Sequence, residues 1–105
     1  EVLYREALEL LRNLSLSNQN VYESDVVMTC NNLALLLASS TEGREEAEKL
    51  YREALTLRRK QVRIVPEVYQ PELAKVCRNL GRFLQSQGRT EEAEALFQEA
   101  EGERT

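Results

Sequence analysis

The chain has 105 residues, a formal net charge of −4, 42% hydrophobic and 30% charged residues, and no histidine. This is the composition of one small globular domain, and its acidity argues against nucleic acid or an anionic membrane as main partner, because both ask for a basic surface. Lack of histidine removes the commonest general base at neutral pH and the commonest metal ligand, so the chain is expected to be no enzyme and to hold no metal or cofactor.

The first predicted helix covers 1–14. Leu3, Leu10 and Leu14 form its apolar side, and Glu1 precedes Arg5 by the four residues that favour a surface ion pair. A longer connection is expected over 15–24. The second helix, 25–39, places Val26, Val27, Cys30, Leu33 and Leu37 at helical spacing. A turn marked by Gly43 follows.

The third helix, 43–63, repeats the pattern with Ala47, Leu50, Tyr51, Ala54 and Leu57. Glu45/Lys49 and Glu48/Arg52 have the favourable order of charges. Arg58, Arg59, Lys60 and Arg63 cluster toward its end, where cations offset the helix dipole. A second longer connection is expected over 64–70. The fourth helix, 71–87, is expected to begin at Pro71, since a missing N–H costs nothing at the first helical position. After a turn at Gly88, the fifth helix runs over 90–102, with Thr90 as its cap and Glu91 and Glu92 in its first turn. No stretch alternates with period two, so no sheet is expected. No apolar run approaches the roughly 20 residues that span a bilayer.

The chain repeats itself. Leu3-Tyr4-Arg5-Glu6-Ala7-Leu8 returns as Leu50-Tyr51-Arg52-Glu53-Ala54-Leu55, and again as Leu96-Phe97-Gln98-Glu99-Ala100. Val21-Tyr22 returns as Val68-Tyr69, and Cys30, Asn32, Leu33 and Leu37 return as Cys77, Asn79, Leu80 and Leu84. A one-residue slip in the period falls between Leu37 and Ala47, where a turn tolerates it. The two cysteines occupy equivalent places and are expected to be small core residues rather than a disulfide, which suits a reducing, cytoplasmic compartment.

Cys77-x-x-Leu80-Gly81-x-x-Leu84, followed by Gly88 and Ala93-x-x-x-Phe97-x-x-Ala100, resembles the tetratricopeptide repeat. Cys30-x-x-Leu33-Ala34-x-x-Leu37 with Ala47-x-x-x-Tyr51-x-x-Ala54 resembles it again. The spacing is longer than the family's usual period of about 34. Asn31-Asn32-Leu33-Ala34 and Leu50-Tyr51-Arg52-Glu53-Ala54-Leu55 are similar to the long-period kinesin light chain subgroup. The resemblance implies an all-α, right-handed superhelical solenoid of antiparallel helix-turn-helix units. It divides a single repeat domain, 1–105, into the second helix of a partial repeat (1–14) and two full repeats (21–63 and 68–102). The chain starts inside a helical pattern and is expected to be a piece of a longer array.

The resemblance implies a protein-interaction scaffold whose first helices line a concave groove for an extended peptide. The residues off the core stripe are then Met28, Asn31, Asn32, Leu35 and Ser39 in one unit, and Lys75, Arg78, Asn79, Arg82 and Ser86 in the next. Asparagine offers donors and an acceptor together, so it can hold a peptide backbone without reading side chains. Lys75, Arg78 and Arg82 suggest an acidic segment or a free C-terminal carboxylate as ligand, because a guanidinium grips a carboxylate through two parallel bonds. Two other readings stand beside this one. The chain could be a structural segment that self-associates through uncapped terminal helices, or a regulatory subunit of an enzyme or transcription complex.

Overall fold

A computed structural model describes residues 1–17 and 19–102. Five helices follow one another: α1 (Val2–Ser17), α2 (Gln19–Leu37), α3 (Arg44–Ile64), α4 (Pro66–Ser86) and α5 (Thr90–Gly102). There is no strand among the described residues. The fold class is therefore all-α, a helical repeat, as its two recurring periodic blocks require. The chain divides into two compact units, Glu1–Leu57 and Arg58–Thr105.

In the first unit α1 packs on α2. Its core holds Leu8, Val27, Cys30, Leu33 and Ala34, with Ala47, Leu50, Tyr51 and Ala54 from the start of α3. In the second unit α4 packs on α5. There Ala74, Val76, Cys77, Leu80 and Leu84 are buried with Ala93, Leu96 and Ala100. Small residues let the helix axes approach, and the large ones fill the space between them. Within unit two the turn is closed by a Schellman arrangement. Arg89 N–H donates to Leu84 O and Gly88 N–H to Gln85 O, both at 3.0 Å. Gly88 has φ of +78°, a left-handed conformation that glycine adopts without strain.

The helix boundaries correct several expectations. The connection expected over 15–24 is largely absent, since α1 runs to Ser17 and α2 starts at Gln19. Serine and asparagine are only weak helix breakers, and no glycine or proline interrupts this stretch. Likewise the connection expected over 64–70 shrinks to Val65. The proline at the start of α4 is Pro66, and Pro71 lies inside the helix. Val65 is pushed out of the helical region (φ −135°, ψ 78°), as the residue before a proline usually is. Pro66 therefore supplies both the stop for α3 and the start for α4. Pro71 removes one backbone bond in the second turn, and the buried face of α4 carries the helix through it. Thr90 is the first helical residue of α5 rather than the residue before it.

Candidate functional site

The predicted groove residues fall on one face of α2 and one face of α4. On α2 the steps Val21, Met28, Asn32 and Leu35 trace a single stripe. Met28 and Leu35 are 57% and 55% exposed, large values for side chains of their type. Asn32 is exposed and Asn31, one step round the helix, is half-buried. The Asn31 Oδ1 is buried and accepts no hydrogen bond. Ser39 lies just beyond the helix and donates its hydroxyl to Leu36 O at 2.7 Å, closing the last turn.

On α4 the same positions read Val68, Lys75, Asn79, Arg82 and Ser86. Lys75 and Arg82 are exposed, and Arg78 and Asn79 are half-buried. Ser86 donates to Phe83 O at 2.6 Å, which makes it the counterpart of Ser39 in structure as well as in sequence. Lys75 reaches Glu72 at 3.2 Å on its own helix. Arg78 and Arg82 meet no carboxylate among the described residues, and the amides of Asn32 and Asn79 have no hydrogen-bond partner there. The two faces thus share Val, Asn and Ser but differ at three positions, one of them Asn31, which is Arg78 on α4. Met28 and Leu35 on α2 are replaced by Lys75 and Arg82 on α4.

Arg58 departs from the reading that the basic cluster merely ends a helix. It is 5% exposed and six residues short of the end of α3. Its Nη1 donates to Gln61 Oε1 at 2.8 Å, Nη2 lies 3.9 Å from Glu72, and the guanidinium sits 5.9 Å from the Tyr69 ring centre. Burial pulls its pKa down from the ordinary value, and the Glu72 carboxylate opposes that shift. Arg63 is the cation that stands in the last turn of α3.

Sequence reasoning missed the ion pairs that join separate helices. Arg12 of α1 donates from Nε and Nη2 to the two carboxylate oxygens of Glu53 on α3, the first bond measuring 3.1 Å. Arg59 of α3 donates to both oxygens of Glu99 on α5 at 2.9 and 2.6 Å. These are the same pair one repeat apart. The signal was present: Arg12 aligns with Arg59 and Glu53 with Glu99 in the repeat. A third pair, Arg5 with Glu46, closes one side of a cleft of about 570 Å³ floored by Leu8, Leu33 and Leu50. The Arg5 hydrogen bond holds the Glu46 carboxyl below the ordinary carboxylate value. The two side chains are 40% and 45% exposed, so the contribution to stability is small.

Cys30 and Cys77 form no disulfide and are fully buried. Burial pushes the Cys30 thiol from 9.0 up to about 12; Glu53 adds to the shift and Arg12 opposes it. A raised folded value favours the neutral thiol in the native state. Its contribution is full below the unfolded value of 9.0 and is lost as pH rises toward about 12. Neither thiol of the native chain is expected to react with a disulfide reagent at about pH 8, while both react in denaturant, because a buried neutral thiol is no nucleophile. Rapid labelling of the folded chain would contradict this placement.

Among the described residues no three His, Cys, Asp or Glu side chains are grouped as a metal site requires. No helix among the described residues is long and apolar enough to cross a membrane. A model of the family described as tetratricopeptide repeat matches residues 26–60 and 73–100, more than half of the chain. No curated protein and no solved structure matches it.

Proposed function

Because the chain belongs to the tetratricopeptide repeat family, whose members generally serve as protein-interaction scaffolds, we propose that it binds an extended segment of another polypeptide in a groove lined by α2 and α4, the first helices of its repeats, through their residues off the core stripe. One observation carries the reading. Asn32 and Asn79 occupy equivalent positions, keep contact with solvent, and leave their amides without a partner. Neither amide is spent on a bond within the fold, where a hydrogen bond contributes about 0.5–1.5 kcal/mol. An exposed, repeated amide is free to pair with a ligand backbone.

Ligand chemistry follows from the neighbours. Arg78 and Arg82 lie without carboxylates, so an acidic stretch or a terminal carboxylate suits the α4 face. Met28 and Leu35 leave apolar surface on α2. We also place the chain with the long-period kinesin light chain-like members. The motifs Asn31-Asn32-Leu33-Ala34 and Leu50-Tyr51-Arg52-Glu53-Ala54-Leu55 support that placement. Two unreacted, buried thiols support a reducing compartment such as the cytoplasm.

A library of extended peptides screened against the chain is expected to return acidic sequences. Their affinity should fall as salt is raised, because exposed charge pairs are screened over about 10 Å at 0.1 M ionic strength. An Asn32→Ala/Asn79→Ala variant should bind about ten-fold more weakly or worse, at about 1 kcal/mol for each lost hydrogen bond. Full affinity in that variant, with its helix content intact, would refute the assignment of these faces.

A further inference from the structure

The cleft of about 570 Å³ in the first unit has α1 and α3 as its walls, and none of Met28, Asn32 and Leu35 lines it. A forked pair braces each end. Arg5 donates to both oxygens of Glu46, and Arg12 to both oxygens of Glu53. The two forks stand two helical turns apart, about 10 Å along either helix. Leu8, Leu33 and Leu50 form the floor.

Each fork is neutral, so the charge the cleft offers comes from what stands between them. Glu9 on α1 and Lys49 on α3 line this middle stretch. Glu9 forms no hydrogen bond or ion pair among the described residues. Lys49 meets Glu45 at 3.8 Å, with the two side chains 76% and 88% exposed, and a pair that open contributes little.

Helix packing does not require either charge. In the repeat Glu9 aligns with Thr56 and Lys49 with Ala95, while the neighbouring fork is kept as Arg59 with Glu99. The other fork is not kept. Arg52, the counterpart of Arg5, turns to Glu48, and Glu92, the counterpart of Glu46, is bonded by Arg89. An anion and a cation held apart over a leucine floor are thus particular to the first unit.

We propose that this cleft binds a small zwitterion with an aliphatic body, the chemistry of a free amino acid such as leucine. Its ammonium pairs with Glu9, its carboxylate with Lys49, and its aliphatic chain lies over Leu8, Leu33 and Leu50. Small-molecule clefts commonly measure about 300–1,000 Å³, and this one falls within that range. The forks fix the walls in advance, which lowers the cost of binding. One end of a polypeptide supplies only one of the two charges, whereas an unlinked amino acid carries both on a single carbon. The site uses α1 and α3, so it stands whether or not a peptide binds along α2 and α4.

The test titrates L-leucine into the whole chain and follows the protein's methyl groups by NMR. Saturable binding is expected, with the methyls of Leu8, Leu33 and Leu50 shifting. N-acetyl-L-leucine lacks the ammonium and L-leucinamide lacks the carboxylate, so each should bind about ten-fold more weakly or worse, the order expected for one lost charged hydrogen bond. Glu9→Gln should weaken leucine binding about ten-fold and leave N-acetyl-L-leucine unaffected. Lys49→Met should weaken leucine binding to the same degree and leave L-leucinamide unaffected. Both residues are exposed, so circular dichroism of the variants should match the parent. L-leucinamide binding as tightly as leucine would give the cleft to a polypeptide N-terminus, and N-acetyl-L-leucine doing so would give it to a C-terminus; either result overturns the proposal. Shifts confined to other methyls, or no saturation at all, would overturn it too.

Discussion

Replacing Leu80 by alanine is expected to cost roughly 2–5 kcal/mol, the range for deleting a buried leucine side chain in a close-packed interior. Leu80 has no exposed surface and stands in the middle of the α4 core, flanked by Val76 and Leu84 one turn to either side. Its neighbours are held on helices and cannot collapse far into the gap. A domain of this size has a margin of about 5–15 kcal/mol, so the loss removes a large part of it. Urea unfolding followed by circular dichroism should show the midpoint fall sharply. Leu80→Met, which conserves volume, should cost less than about 1.5 kcal/mol. Leu33 is the equivalent residue in the first unit and is 1% exposed, so Leu33→Ala should cost a similar amount. Equal stability of Leu80→Ala and the parent would mean that the α4 core is not packed as described.

Gly81→Leu is expected to destabilise the chain by about 1–3 kcal/mol through overpacking. A Cβ built on Gly81 would lie 2.7 Å from Phe97 Cε1 and 3.0 Å from its Cζ. Two effects compete in the smaller change to alanine. Helix propensity favours alanine over glycine by about 1 kcal/mol in a helix interior. Against it stands the shift forced on the Phe97 ring, which is only half-buried and can turn aside. The two nearly cancel, so Gly81→Ala should be close to neutral in a thermal melt. Leucine adds three further carbons that the ring cannot avoid. Truncating the ring in Gly81→Leu/Phe97→Ala should recover part of the loss, a non-additivity that residues in contact show. Additive costs would show that the ring is not what excludes the side chain. The first unit already carries the larger residue: Ala34 aligns with Gly81 and is fully buried.

The helical repeat was legible because its signals are local. Leu33, Leu37, Leu80 and Leu84 fall at helical steps, and the same residues recur one repeat later. Helix ends were harder, because Pro66 and Pro71 both suit a first helical position by local rules. Which of them starts α4 depends on Val65, whose extended backbone is set by its neighbour on the chain and by where α3 must stop. Arg58 shows a second limit. Its place near the end of α3 suggests a solvated cation, yet Gln61, Glu72 and Tyr69 enclose it. Glu72 and Tyr69 lie on α4 and leave no mark on the periodicity of α3. On the candidate faces, exposure of Met28, Asn32, Leu35 and Arg82 follows from helical spacing. The capping bonds of Ser39 and Ser86 do not, because they depend on where each helix ends.

One last consequence concerns α3. The division between the two units falls after Leu57, while α3 continues unbroken to Ile64. Cutting the gene at that point would sever a rod in mid-length. Either half would then carry a stump with open carbonyls or amides that no cap satisfies. Anyone wishing to study one half in isolation should carry all of α3 along, and should expect a protease to find no easy foothold there.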